Sequence, residues 1–304
     1  MQPYLDLLSR IATRGVPKDD RTGTGTLSIF GAQVRSDLWD GFPLLTTRAI
    51  NYRAAIHEMQ WFLRGETNTR TLPAKIWDQW AAEDGSLGAV YGAQMRGTSP
   101  NQPVDQIAQL LTDLQVRPDS RRLVVSCWTP SDMPDESVSP EANARAGKAA
   151  LAWCHCLFQV WTRPLSVMER RSLAAAPAGA DSAEAADLDA AGVPARGLSL
   201  HLYQRSADMP VAGCAFNVVQ YAYLTHLLAE QSGMVADEFV HTIGDAHIYR
   251  DQLDGVHEQL QRAPRALPQF RFIRTHERIE DYGADDIEIT GYDPHPPIRF
   301  PVAK

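Results

Sequence analysis

The stretch 151–160 reads LAWCHCLFQV and sets a thiol, Cys154, beside an imidazole, His155, in a strand-like run. A thiol becomes a nucleophile only as its thiolate. Alone, a cysteine is most often a small buried hydrophobe, so any chemistry must come from its neighbours. One set is Gln204-Arg205-Ser206-Ala207-Asp208, which ends a second strand marked by the alternation of Leu198, Leu200 and Leu202. That strand is expected to pair with the cysteine strand. An arginine there would favour the thiolate, and with Ser206 it would suit a phosphate. Another is Phe216-Asn217, opening a helical stretch. A side-chain amide donates and accepts at once, which suits an imide edge such as uracil's. Cys156 lies two residues past Cys154, on the same face of a strand, and is expected to be structural.

These side chains need a frame. Tyr4, Leu5, Leu7, Leu8 and Ile11 recur at helical spacing, so residues 3–14 read as an amphipathic helix. The turn Asp20-Arg-Thr-Gly-Thr-Gly-Thr26 could hold an anion through Arg21 and its hydroxyls, but it lacks the GK[ST] ending of a P-loop. A strand follows at 27–34, a turn at 38–47 and a helix at 50–64. Trp77 and Trp80 stand three apart in 72–82, which on a helix puts both indoles on one face, as core anchors or as a wall for a flat ligand. Further helices are expected at 104–116, 216–233 and 250–262, and strands at 123–128, 151–162 and 239–249. The tail, 287–304, reads as a short strand and a Pro-rich turn. Residues 129–150 and 164–197 are polar or Ala-rich with little to bury, and are expected as mobile insertions in a single domain spanning 1–304.

Composition narrows the classes. A chain of 304 residues, 44% hydrophobic, buries a large core, and its net charge of −8 argues against a general nucleic-acid binder. No apolar run approaches the ~18–20 residues of a membrane span, and the N-terminus does not read as a signal peptide. The cysteines, Cys127, Cys154, Cys156 and Cys214, form no CxxC pair or disulfide spacing. A cytoplasmic location and no metal are expected.

Taken in order, the stretches DRTGTGTLSIFG, DGFPLLTT, HEMQWFLRGETN, IWDQWA, VYG, PDSRR, Cys154-His155, LYQRSAD, Phe216-Asn217, GDAHIY, GYDPHP and a final PVA resemble the folate-dependent thymidylate synthase family from Tyr4 to Ala303, apart from the excursions at 129–150 and 164–197. The resemblance implies an α/β (α+β) fold. Its large mixed, mainly antiparallel sheet would have helices on one face and a dimer interface on the other. It also implies a one-carbon transferase of nucleotide biosynthesis that acts on dUMP with 5,10-methylenetetrahydrofolate as co-substrate.

Position by position, Cys154 matches the nucleophile that adds to C6 of dUMP. Arg21, Arg205 and Ser206 match the phosphate grip. Arg121 and Arg122 match a pair reaching across a homodimer into the neighbour's site. Asn217 matches the base-reading amide, and His247 and Tyr249 the pair that binds the 3′-hydroxyl. Glu58 matches the carboxylate that moves protons through water, with Tyr91, His155 and Gln204 around it. Trp77, Trp80, Asp208, Gly213 and the penultimate Ala303 match the folate side. Asn217 argues against a cytosine substrate, because the dCMP-specific relatives carry aspartate there.

The departures gather on the folate side. Trp153 stands where the family has proline. Ala49 and Asn51 replace basic residues, and Met95 replaces a tryptophan. The segment before Trp77 is short. MPVAGCAF, between Asp208 and Asn217, is one residue longer than the family pattern. Lys304 replaces an apolar terminus. Overall similarity favours reductive methylation to dTMP. A looser, more polar closure would instead let water trap the C5 methylene, as in the family's dUMP hydroxymethylase branch. A third reading is an inactive nucleotide- or RNA-binding homologue.

Overall fold

A computed structural model describes residues 1–174 and 184–302, apart from the side chain of Cys214. Helix α1 (Gln2–Arg14) buries Tyr4, Leu5, Leu7, Leu8 and Ile11, the stripe that the spacing predicts. Among the described residues six strands form the main sheet: β1 (Val16–Lys18), β2 (Thr26–Asp37), β3 (Val124–Ser126), β4 (His155–Pro164), β5 (Arg196–Asp208) and β6 (Val235–Tyr249). Their order is β1-β2-β6-β5-β4-β3. Every pairing is antiparallel except β5 with β6. That parallel pair needs a crossover, which helix α8 (Val218–Gln231) supplies. A second sheet pairs β7 (Gln269–Phe272) with β8 (Ile287–Thr290).

One face of the main sheet is the core. Phe158, Val160, Leu200, Leu202, Phe239 and Ile243 are buried there, and α8 packs against β5, β6 and α2 (Tyr52–Leu63). Helix α8 is apolar nearly all round, as a helix inside a core must be. Helix α2 starts on an Asn51 cap, whose side chain accepts from the Ala54 N–H at 3.3 Å. It stops at Gly65, which has φ 75°. Glu66 N–H reaches back to Trp61 O and Gly65 N–H to Phe62 O, a closed C-terminal turn that a left-handed glycine allows. On the opposite face of the sheet Val124, Leu157, Trp161 and Tyr203 are exposed.

Several elements differ from the sequence expectation. Residues 151–154 lie outside the strand, which begins at His155, and a register shift falls between His155 and Leu157. His155 and Cys156 are consequently both buried, so alternation assigns no shared face to Cys154 and Cys156. Trp77 and Trp80 sit on a single 3₁₀ turn (Asp78–Trp80) rather than a helix, with ring centroids 5.6 Å apart. The helix expected from residue 216 is preceded by a wide π-helical stretch, Met209–Asn217, which runs into α8. An extra residue inside a helical segment is accommodated by such a wider turn, and this is the segment with one residue too many.

Helices α3 (Tyr91–Arg96) and α4 (Gln106–Val116) precede the 129–150 segment. That segment has a 3₁₀ turn (Pro130–Asp132) and α5 (Pro140–Arg145). Its Asp132 is buried and accepts from Gln94 Nε2 (2.7 Å), Ser99 Oγ (2.6 Å) and Asn101 Nδ2 (2.5 Å). Within 164–197, α6 (Val167–Leu173) and α7 (Ala185–Ala190) enclose Leu188 and Arg170. The middle of that insertion, 175–183, lies outside the described residues. Helix α9 (Leu253–Leu260) follows a 3₁₀ turn, Arg250–Gln252. No described helix is long and apolar enough to cross a membrane.

Removing the Asp132 carboxylate would leave three donors facing an apolar hole, so Asp132→Ala is expected to cost about 3 kcal/mol of stability. A urea melt within about 0.5 kcal/mol of the parent would contradict this.

Candidate active site

Cys154 is partly buried just ahead of β4. Its backbone is clamped on two sides. The Cys154 N–H donates to the Tyr91 hydroxyl at 2.8 Å and its carbonyl accepts from Arg205 N–H at 2.8 Å. The Arg205 side chain folds back over the same segment, giving Nε to Trp153 O (2.8 Å) and Nη2 to Ala152 O (3.2 Å). The strand pairing expected from the leucine pattern thus sets the guanidinium beside the thiol. Burial pushes the Cys154 thiol above its usual range and the Arg205 charge pulls it down; burial is the larger effect. The arginine therefore favours the thiolate, as expected, but only partly offsets the desolvation.

Glu58, on α2, is buried. Its carboxylate accepts from Trp77 Nε1 at 2.5 Å and from Gln220 Nε2 at 2.6 Å. Burial raises its pKa to about 7, against the pull of those two hydrogen bonds. From Gln220 a chain of amides runs through the core. Asn217 Nδ2 donates to Gln220 Oε1 (3.1 Å), and Gln204 Nε2 donates to Asn217 Oδ1 (2.9 Å). Gln204 Oε1 lies 2.9 Å from His241 Nε2, and His241 Nδ1 lies 3.2 Å from the Tyr4 hydroxyl. Gln204 Nε2 also donates to Ser206 O at 3.0 Å, so its oxygen must face His241. His241 then carries its proton on Nε2 and accepts from Tyr4 on Nδ1. Burial keeps this imidazole neutral, with a pKa lowered to about 3.

His155 is buried against Tyr91, with ring centroids 4.9 Å apart. Burial lowers its pKa to about 4, so at neutral pH it is an uncharged ring. Tyr91 also stacks near Phe62 and Trp77, and burial pushes its phenol well up. Asp208, at the end of β5, accepts from Val211 N–H (3.3 Å) and Gln252 Nε2 (3.0 Å). Burial raises its pKa. Gln252 also donates to Pro301 O at 3.0 Å, which ties the C-terminal segment to Asp208. Gly213 lies in the π-helical stretch; a Cβ there would come within 2.8 Å of Met209 Sδ.

Ser206, on β5, pairs with Asp245, and Asp208 pairs with His247 on β6. The His247 and Tyr249 rings meet edge to face at 5.2 Å. Thr26 pairs with Tyr249, and Gly25 O accepts from Arg250 N–H, so the Arg21 turn abuts this end of β6. Burial raises the Tyr249 phenol, and the nearby Asp208 and Asp20 charges add to that while Arg21 opposes it. Arg21 itself is exposed.

Arg121 and Arg122 are not brought to Cys154 within the chain. Their loop touches β4 at Gln159, Val160 and Thr162, five to eight residues past Cys154. At ~3.3 Å per residue that is roughly 17–26 Å. Ala303 and Lys304 lie outside the described residues. Gln220, Gln252 and His241 were not found by sequence reasoning. A glutamine in a helix carries no chemical signature, although Gln220 stands one turn beyond Asn217.

The departures find places. Trp153 is fully buried, edge-on to Trp128 at 6.4 Å, so its bulk goes into the core. Asn51 caps α2, and Met95 is core. Among the described residues no group of three or more His, Cys, Asp or Glu is placed to hold a metal. A protein-family model described as thymidylate synthase matches residues 2–304.

The raised Glu58 pKa sets a pH slope. A carboxyl held at about 7 when folded, against 4.5 when free, stabilises the fold fully below about pH 4.5 and loses that contribution as pH rises through 7. By pH ~8 the loss reaches about 3 kcal/mol. Glu58→Gln is expected to flatten this part of the stability–pH curve. Parallel curves for parent and variant in urea melts would contradict it.

Proposed function

Because the chain belongs to the thymidylate synthase family, its chemistry is folate-dependent one-carbon transfer to C5 of dUMP, and we propose that it completes that transfer reductively, releasing dTMP. The observation that carries this reading is the amide chain from Gln204 through Asn217 and Gln220 to Glu58. It joins a base-reading amide to a carboxylate poised near neutrality, one strand away from a thiol flanked by arginine.

Cys154 Sγ gives up its proton and bonds to C6 of the uracil, and the ring electrons move to C5 and O4. Arg205 stabilises the thiolate that must form inside a desolvated site. Asn217 keeps one amide hydrogen beyond its bond to Gln220, enough to meet an imide carbonyl, while its oxygen already accepts from Gln204 and faces His155. The folate supplies the one-carbon unit and, in the reductive ending, the hydride. Glu58, at about 7, can hold or release a proton at working pH. Loss of the C5 proton and expulsion of Sγ restore the ring and free the enzyme. Arg21, Arg205 and Ser206 would take the phosphate, with His247 and Tyr249 at the sugar. Trp77, Trp80, Asp208 and Gly213 would form the folate wall.

Three departures favour the reductive ending because they do not open the site. Trp153 is turned inward, Asn51 is a helix cap, and the extra residue is taken up by the π-helical turn. Pro301 is tied through Gln252 to Asp208, so residue 301 is held beside the proposed folate wall, where it can help exclude water. The exposed sheet face with Val124, Leu157, Trp161 and Tyr203 suits a homodimer. In that dimer Arg121 and Arg122, remote from Cys154 in their own chain, would serve the partner's site.

Incubated with dUMP and methylenetetrahydrofolate, the protein is expected to yield dTMP with rising dihydrofolate absorbance. Accumulation of 5-hydroxymethyl-dUMP without dihydrofolate would establish the hydroxymethylase reading instead. Cys154→Ala is expected to lower turnover by roughly a thousandfold or more, while Cys156→Ala, folded, keeps it. Comparable turnover in Cys154→Ala would end the covalent mechanism.

A further inference from the structure

We infer that Arg196, where the chain returns from the 164–197 insertion, is a positioning residue for Arg121 and Arg122, and so tunes phosphate affinity at the other subunit's site. This rests on the shared-site reading above.

The segment between α4 and β3 carries the two arginines and has no regular structure of its own. A turn shapes it: Ser120 N–H donates to Arg117 O (2.9 Å) and Arg122 N–H to Ser120 Oγ (3.1 Å). Its place is set from β4. Val160 N–H donates to Leu123 O (2.8 Å), Gln159 Nε2 reaches Arg121 O (3.4 Å), and Thr162 Oγ donates to Pro118 O (2.8 Å). Arg196 completes this clamp. Its Nε and Nη2 lie 3.2 and 2.8 Å from Thr162 Oγ, and its Nη2 also pairs with the Asp119 carboxylate. The Thr162 hydroxyl is buried and has one hydrogen. Donation from Arg196 leaves that hydrogen for Pro118 O, so a single guanidinium orients both attachments of the loop.

The charge pair is not strong in itself. The Asp119 side chain is 76% exposed, and such pairs stabilise little. Its effect is geometric. Arg121 and Arg122 are long, exposed side chains, and the freedom of their loop adds to the ordering cost of gripping a phosphate. Arg196 also faces Pro164 at the end of the β4–β5 hairpin. A role confined to closing that hairpin would affect its own chain, not the site across the interface.

Subunit mixing separates the two roles. One chain carries Cys154→Ala; its partner carries Arg121→Ala and Arg122→Ala. The mixed dimer then has a single working site, with its thiol from the second chain and its arginines from the first. Tritium release from C5 of dUMP reports turnover whichever way the methylene is finally trapped. Adding Arg196→Ala to the Cys154→Ala chain is expected to raise KM for dUMP about fivefold with kcat retained. Adding it to the other chain leaves KM unchanged. Equal effects from either chain, or none from either, overturn the inference. An inactive parent mixture overturns the shared-site reading instead. Should Arg196→Ala chains fail to assemble, Arg196→Gln carries the same comparison.

Discussion

A buried amide has no neutral orientation: each end must meet the opposite kind of partner or leave a polar group stranded. In this fold that constraint governs a run of side chains from Tyr4 on α1 through His241, Gln204, Asn217 and Gln220 to Glu58 and Trp77. The chain crosses α1, β6, β5, α8 and α2, so a flip at one member would propagate to the rest. The amide of Asn217 is therefore aimed through Gln204 and Gln220 by a run that reaches back to Tyr4 on α1. The sheet and α8 exist around this run as much as around the leucines that bury them.

The same desolvation that fixes the amides perturbs the titrating groups, and in opposite senses. It lifts Glu58 to about 7 and holds His155 and His241 uncharged. At Cys154 it opposes Arg205 and prevails. A buried thiol kept neutral is also less open to adventitious oxidation, since the thiolate is the reactive form. The cluster needs the apolar packing of Phe62, Tyr91 and Trp77 as much as its polar atoms.

Much of this was legible in the sequence, unevenly. The stripe of α1 and the alternation of β5 followed from periodicity, and the pairing of β5 with the cysteine strand from reading 164–197 as an insertion in a hairpin. The candidate site residues came from ordered motifs; the fold puts Cys154, Arg205, Ser206, Asp208, His247 and Tyr249 near neighbouring ends of β4, β5 and β6 and leaves Arg121 and Arg122 apart. Local spacing misled where tertiary contacts decide. Trp77 and Trp80 are held by Glu58 and by each other, not by a helix. His155 and Cys156 are both buried because a bulge interrupts the alternation. Gln220, Gln252 and His241 were invisible because a single polar residue carries no pattern; only the fold shows what it faces. The separation of Arg121 and Arg122 from Cys154 likewise needed the register of β3 on β4.

The pairing of β2 with β6 has a consequence in time. Thr26 meets Tyr249 and Tyr4 meets His241, contacts 223 and 237 residues apart in sequence. Pairings this distant close long loops and form slowly. On the ribosome, β2 must wait until β6 has emerged, and its edge stays unpaired meanwhile. Exposed Phe30 lies on that waiting strand. The end of the sheet where Thr26 meets Tyr249 thus forms only after most of the chain has been made, and β2 passes long through the state in which it can pair with the wrong chain.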